Sequence, residues 1–417
     1  MEASVWTERM LAALDRGVKG GRWYSLMDKV RSEDNLRAAF ARVKANGGSA
    51  GADHQTIEMF GAHLEENLEQ LRQELESGTY RPRPARRVWI AKPGRKGEER
   101  PLDIPAVRDR VVQTALRHVL EPIFEREFAE HSYGFRPGRG NKDALRRVEQ
   151  LLKAGKAWVV DADLKNFFGT VSHDILLSRL KEKVSDGKVL ELIEAFLKHK
   201  VLEGMEGWEP EAGTPQGAVI SPLLSNVYLD PLDREMERQG HEMVRYADDL
   251  VILSGSEAEA RNALAALERW TTSVGLALHP EKTRVVDATE PGGFDFLGYH
   301  FERGMRWPSA KNLKKLRDKI RAKTKRTNGF SLEVIIWKVN QTLVGWFGYF
   351  KHSHWTTFTY LDPWIRMRLR SILRRRKGLV GRGRGADHVR WPNAFFAEQG
   401  LFSLVAAHAE ASQSAVR

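Results

Sequence analysis

The sequence predicts an α+β fold, in which short antiparallel strands bearing acidic residues are followed by an all-helical, strongly basic segment. Three observations predict it. Glu242 to Leu253 splits into two apolar halves around Ala247-Asp248-Asp249, the pattern of a hairpin with acids at its tip. Ala157 to Leu164 reads as a strand, and because strand side chains alternate with period two, Asp161 and Asp163 project to one face. Behind residue 308 the apolar positions recur at intervals of three and four, the period of packed helices.

The bulk composition sets the scale. A chain of 417 residues with 41% apolar side chains is large enough for two or three domains, each burying its own core. Lysine and arginine number 67 against 55 acids, a net charge of +12 that calls for a polyanionic partner. The charge is unevenly placed. Residues 1–300 carry 43 basic and 48 acidic side chains, whereas residues 301–390 carry 23 basic and 5 acidic, so the footprint for nucleic acid is concentrated behind position 300. No cysteine occurs, which excludes disulfide scaffolds, cysteine-ligated zinc and thiol chemistry. The N-terminal stretch lacks a basic region followed by an apolar core, and no apolar run nears the roughly 18 residues of a membrane span, so a cytoplasmic protein without a membrane partner is expected.

Taken in order, the first 130 residues are mostly of helical pattern, broken at Asn46-Gly47-Gly48-Ser49-Ala50-Gly51, where Gly and Asn tolerate positive φ. Arg86 to Pro93 and Arg100 to Pro105 read as two strands about the basic turn Gly94-Arg95-Lys96-Gly97. The acidic strand and hairpin follow. In the basic segment, Leu313, Leu316 and Ile320 share a helix face while Lys314, Lys315, Lys319 and Lys323 surround it. Ile336, Val339, Leu343, Trp346 and Phe350 mark a second helix, and Trp337, Trp346 and Trp355 are expected in the core of the whole basic segment. On a third, Leu361, Ile365, Leu369 and Ile372 face inward, sending Arg366, Arg370, Arg374 and Lys377 along a second stripe. A three-helix unit with one basic wall is expected, ending in a flexible basic loop from Gly378 to Gly385.

Two adjacent carboxylates in a tight turn between apolar strands repel one another and resist desolvation, so Asp248 and Asp249 want a cation. If Asp161 or Asp163 meets them across a sheet, the site can hold two hard divalent ions, as phosphoryl transfer to a nucleotide hydroxyl requires. Gly213-Thr214-Pro215-Gln216-Gly217, leading into a helix, offers close backbone approach, amides and a glutamine side chain to a base or phosphate.

In this order the three elements resemble the polymerase palm of reverse transcriptases, and the match is to group II intron-encoded reverse transcriptase/maturases, in an endonuclease-lacking form. Arg100 to Pro105, Ser132 to Arg139, Gly213 to Asn226, Tyr246 to Asp249, Gly275 to Thr283 and Phe296 to Tyr299 resemble that family's successive fingers and palm blocks, and Gly345 to Phe350 resembles its thumb. The resemblance implies a right-hand polymerase with helical fingers, an antiparallel-sheet palm carrying the acidic hairpin, and an α-helical basic thumb, the maturase or X domain. It implies fingers and palm over 1–300, with the catalytic blocks at about 86–300, a thumb over 301–395 and a C-terminal tail over 396–417.

The family pattern selects Asp163 with Phe168, five positions on, as metal-binding aspartate and screen against a ribose 2′-hydroxyl, leaving Asp161 a supporting acid. With Asp248 and Asp249 it would bind two Mg²⁺, or Mn²⁺. Lys92 and Arg100 would grip the triphosphate of a dNTP, Gln216 and Gly217 would contact the nascent pair, and Lys282 would lie near the developing pyrophosphate. Lys314, Lys315, Arg366, Arg370, Arg374 and Lys377 would meet RNA. Gly169, Asp103 and Ala218 depart from residues usual in the family, although none removes a metal ligand. The function implied is RNA-directed DNA polymerisation on an RNA template from a DNA primer or target DNA, coupled to binding group II intron RNA for splicing and mobility, in the cytoplasm and at the nucleoid. The alternatives are a maturase that only folds RNA and a reverse transcriptase recruited to defence or repair. The retained acidic triad favours the enzyme.

Overall fold

The computed structural model describes residues 2, 5–91, 97–204, 206–383 and 385–414. Lys92 and most of the basic turn after it, Gly94-Arg95-Lys96, lie outside the described residues. The described chain forms two compact units that divide between Val285 and Val286. The charge step at about 300 comes later in the chain because residues 294–301 carry few charges yet belong to the second unit, where Tyr299 donates from its hydroxyl to the Tyr349 carbonyl (2.6 Å) and Tyr349 donates to the Leu297 carbonyl (2.7 Å).

The strands of the first unit are β1 (Ala85–Ala91), β2 (Glu99–Ile104), β3 (Trp158–Asp163), β4 (Val201–Glu203), β5 (Glu206–Trp208), β6 (Glu242–Tyr246) and β7 (Asp249–Ser254), while β8 (Arg284–Asp287) contains the point of division. They form two four-stranded sheets, ordered β2-β1-β4-β5 and β6-β7-β3-β8. In the second sheet β3 runs antiparallel to β7, with Val160 opposite Ile252 and Asp163 opposite Asp249. Val159, Val160, Leu250, Val251 and Ile252 are wholly buried, so both faces of these two strands are covered at that level, whereas Asp161 and Asp163 toward the end of β3 are only partly covered.

Helix Val107–Glu125 crosses the centre of the first core, with Val111, Val112, Ala115, Leu116, Val119 and Leu120 inaccessible to solvent. Helices His173–Lys183, Gly187–Lys198, Ser221–Arg238 and Glu257–Ser273 pack into the same core through Leu176, Ile193, Tyr228 and Leu267. Polar caps fix where several of these helices begin. Ser172, Asp186 and Ser256 each accept a backbone N–H from the first turn of the helix that follows.

In the second unit β9 (Phe294–Phe296), β10 (Tyr299–Glu302) and β11 (Met305–Pro308) form an antiparallel sheet. Helices Ala310–Lys323, Leu332–Phe350 and Thr356–Arg376 then enclose a core that includes Leu316, Ile336, Val339, Leu343, Leu361, Ile365 and Leu369. Two expectations need correction. Most of the segment set apart as a tail is packed structure. Phe396 and Leu404 are fully buried, and Asp362 caps helix Leu404–Ser414 by accepting from the Ser403 hydroxyl (2.8 Å) and the Leu404 amide (3.1 Å). Trp337 and Trp355 are 60% and 56% exposed rather than core, and only Trp346 of the three packs against it. The sequence period at 336, 339 and 343 fills the inward face and leaves position 337 on the outer one.

One buried acid makes the first unit sensitive to pH. Asp109 lies inside the core end of helix Val107–Glu125, where it accepts from the Tyr80 hydroxyl (2.5 Å) and the Arg83 amide (2.9 Å). Burial outweighs these bonds and pushes its carboxyl up to about 6. A folded-state value above the unfolded one means stabilisation present below about pH 4 that is lost as pH rises through 6, on the order of 3 kcal/mol for a two-unit shift. Relative to wild type, Asp109→Asn is therefore expected to gain stability between pH 4 and 7 by about that amount. Urea unfolding across this range measures it, and a pH-independent difference would mean that Asp109 is ionised throughout.

Candidate active site

The backbone brings the acids together. Tyr246 pairs with Asp249 across β6 and β7, leaving a two-residue turn, Ala247-Asp248, in which Ala247 adopts φ 60°. A non-glycine residue there costs on the order of 1 kcal/mol, so neighbours must hold it. Arg245, fully buried, does so. Its guanidinium donates to the Ala247 carbonyl (3.0 Å), to Asn226 Oδ1 (3.0 Å), to Ser132 Oγ (2.7 Å) and, through two nitrogens, to both oxygens of Asp233. Asn226 in turn donates to the Gly134 carbonyl (2.9 Å), and a Cβ built on Gly134 would lie 2.2 Å from the Ala247 nitrogen. Glycine is required at 134 by this approach.

Asp163 ends β3 opposite Asp249, and Asp248 stands at the adjoining tip. Burial raises the Asp248 carboxyl above the ordinary aspartate range, and the charge of Asp163 adds to the effect. Lys282 donates its ammonium to Asp163 Oδ2, held there by a turn in which the Lys282 and Thr283 amides bond the His279 carbonyl. Asp161, on the same strand face, faces Arg284 at 3.4 Å. Among the described residues no three carboxylate or imidazole side chains are already closed into a cation cage. The donor chemistry nonetheless fits a hard divalent ion: the crowded groups are carboxylate oxygens, and the Lys282 ammonium already sits against one of them, Asp163.

Beside the tip opens a cavity of about 680 Å³ lined by Arg100, Leu102, Phe135, Phe168, Gln216, Gly217 and Asp248 among others. The motif before helix Ser221–Arg238 is held at its wall by two bonds between backbones, Thr214 N–H to the Phe168 carbonyl (2.7 Å) and Asp103 N–H to the Gln216 carbonyl (2.7 Å), and by one to a side chain, Val219 N–H to Gln113 Oε1 (2.7 Å). Gly217 has φ 116°, and a Cβ there would meet the Asp103 carbonyl at 2.5 Å. The unusual Asp103 is explained by its own ion pair: it is buried, bonded by Arg87 at 2.7 and 3.0 Å, and Arg87 lies over the Trp208 ring. Thus Arg100, Phe168, Gln216, Gly217 and Asp248 share one wall system, with Asp163 and Lys282 at the neighbouring strand end.

The helical basic stripe behaves differently. Arg370 is 1% exposed, donating to the Trp391 carbonyl (2.8 Å) and Asn393 (2.8 Å) over the Phe396 ring, so it cannot meet a phosphate. Arg374 is paired with Asp387 (2.8 Å), and Arg366 is mostly covered beside Asp362. Residues 386–398 fold back over this face, which spacing along one helix could not reveal. Lys314 and Lys377 are exposed, and Lys315 is partly covered.

Sequence reasoning misses Arg245 and Asp233, and it reaches Asn226 and Ser132 only as ends of motif blocks, with no role given to either. The signal was an arginine between Val244 and Tyr246 in an otherwise buried strand, since a charge there needs a partner. Asp233→Ala and Arg245→Met are each expected to cost about 3–5 kcal/mol because each strands a buried charge, whereas the double variant should cost less than the sum. Chemical unfolding reads the cycle, and additive costs would show that the pair does not hold the turn.

Two regions of the chain match known families. Residues 90–301 match the family described as reverse transcriptase (RNA-dependent DNA polymerase), and residues 313–388 match the group II intron, maturase-specific domain. Protein YkfC of Escherichia coli (strain K12) is 34% identical over 331 residues, covering 69% of this chain and 84% of that protein. Group II intron-encoded protein LtrA of Lactococcus lactis subsp. cremoris is 41% identical over 203 residues, 48% of this chain, and Nuclear intron maturase 2, mitochondrial, of Arabidopsis thaliana is 32% identical over 249 residues, 50% of this chain. The matched parts span 33% of each of the latter two proteins. With an acidic strand and hairpin tip inside the first matched region and a basic helical unit containing the second, this chain belongs to the family of group II intron-encoded reverse transcriptase/maturases.

Proposed function

We propose that the chain is an RNA-directed DNA polymerase that also binds group II intron RNA to assist splicing and mobility. The observation that carries the reading is the backbone pairing of Asp163 with Asp249, with Asp248 at the same tip and the cavity lined by Arg100, Phe168, Gln216 and Gly217 beside it. In this reading the acidic sheet is the palm, β1 and β2 with the N-terminal helices are the fingers, and the second unit is the thumb and maturase domain.

The family generally uses divalent metals, and Asp163, Asp248 and Asp249 are the groups that would hold two of them here. Such ions, when bound, supply an activated primer 3′-hydroxyl and neutralise charge on the triphosphate. The chain's own groups do the rest. Arg100 presents a fork of donors suited to phosphate oxygens. Gln216 and the amides of the Gly213–Gly217 loop orient the base pair, and the fixed register of that loop against Phe168 and Asp103 limits how far it can shift. Phe168 excludes a 2′-hydroxyl by bulk. Lys282 holds the Asp163 carboxylate in place before substrate arrives.

Asp248→Ala and Asp249→Ala should each reduce primer extension by roughly a hundred- to a thousandfold while leaving RNA affinity near wild type. Extension on an RNA template with Mg²⁺ and dNTPs is the assay, and wild-type rates in both would overturn the assignment. Phe168→Val should raise the ratio of ribonucleotide to deoxyribonucleotide incorporation by about tenfold or more, as a lost steric contact predicts. Single-nucleotide kinetics with each sugar reads the ratio directly, and no change would place the screen on another side chain.

A further inference from the structure

The arginine stripe expected on helix Thr356–Arg376 is largely covered, yet a different face of the second unit gathers cations without enough acids to balance them. Arg321, Arg326 and Arg382 are all close enough to Arg368 for their charges to act on it, while Arg326 and Arg375 line a cavity of about 310 Å³ with Gly378, Leu379, Val380 and Gly381. Among the described residues, the acid paired in this cluster is Asp318, bonded to Arg321 at 2.7 Å. Convergent guanidiniums repel one another, so holding them together costs free energy unless an anion joins them. One of them is also pre-set. Arg368 is fixed at the end of helix Ala310–Lys323 by bonds to Thr324 Oγ1 (2.6 Å) and the Thr324 carbonyl (3.0 Å).

Aromatic rings continue the cluster along the same two helices. Arg321 and Arg368 lie 5.9 and 5.7 Å from the Trp364 ring centre, and one helical turn away Arg317 lies 5.0 Å from the ring of Tyr360, which is 61% exposed. An exposed ring next to ordered guanidiniums suits an unstacked base joined to its own phosphates better than it suits an acidic peptide, for which charge alone would serve.

We propose that Arg321, Arg326, Arg368, Arg375 and Arg382 bind the phosphates of a looped or bulged RNA strand, with Tyr360 stacking on one of its unpaired bases. This rests on the reading of the second unit as the RNA-binding half and adds the surface and the kind of RNA feature it takes. Arg326, Arg375 and Arg382 are exposed, so replacing them leaves the core intact.

The test uses the full chain, a labelled RNA hairpin with an internal bulge, the same hairpin without it, and the DNA counterpart of the bulged hairpin, each titrated over a salt series. The triple variant Arg326→Gln/Arg375→Gln/Arg382→Gln should bind bulged RNA about tenfold or more weakly, with the log–log salt slope reduced by roughly 2–3 units. A charge-matched control, Arg146→Gln/Lys153→Gln/Arg238→Gln, changes exposed side chains on helices of the first unit. Equal loss in both triples would overturn the site, since only overall charge would then matter. Tyr360→Ala should weaken bulged RNA but not the unbulged hairpin, and equal weakening of both would remove the stacking role. DNA held as tightly as RNA, with the same sensitivity to the triple variant, would overturn the RNA assignment in favour of a general phosphate site. Primer extension by the same preparations on a short unstructured template reports separately on the polymerase reading.

Discussion

The buried pair of Arg245 and Asp233 is the constraint on which the acidic tip depends. A hairpin turn with Ala247 at positive φ and two carboxylates side by side is not a conformation that the local sequence prefers. It is held because one fully buried guanidinium spends its donors on the turn's own carbonyl, on a helix and on the Ser132 loop at once. Desolvating that guanidinium is costly, and the cost is offset only when every donor finds its acceptor. The arrangement is therefore close to all-or-none, which suits the proposed metal-holding role, in which the placement of Asp248 relative to Asp163 would matter.

Glycine extends the same constraint outward. Gly134 lets its loop lie against the Ala247 backbone, and Gly217 lets the Gly213–Gly217 loop lie against the Asp103 backbone. Main-chain bonds then tie Thr214 to Phe168 and Gln216 to Asp103. The residue proposed to screen the sugar and the residue proposed to contact the base pair thus belong to one hydrogen-bonded frame. Asp103, which departs from the usual family residue, fits because Arg87 neutralises it and Trp208 covers Arg87.

In the second unit the same physics sorts its arginines into two groups. Arg370 and Arg374 are spent on tying residues 387–398 to the third helix, where carbonyls, an amide and Asp387 satisfy them. Arg326, Arg375 and Arg382 stay in water, where a guanidinium keeps its charge and its donors for a partner. A net charge of one sign over residues 301–390 is consequently divided, and only the second group keeps its donors in solvent.

What the sequence determined by itself was whatever depends on near neighbours in the chain. The period-two pattern around Asp161 and Asp163, the split apolar run around Asp248 and Asp249, the helical periods after 308 and the charge step all follow from local sterics and solvation, and the ordered motifs add the family. Tertiary structure alone decided the rest. Which of Asp161 and Asp163 lies opposite Asp249 is a matter of strand register, and Arg245 meets Asp233 because a helix packs beneath β6. The exposure of Trp337 and the burial of Arg370 depend on which helix face a distant segment covers. A helical period names a face but not its occupant, because burial is a property of both surfaces in contact and a chain position carries only one of them.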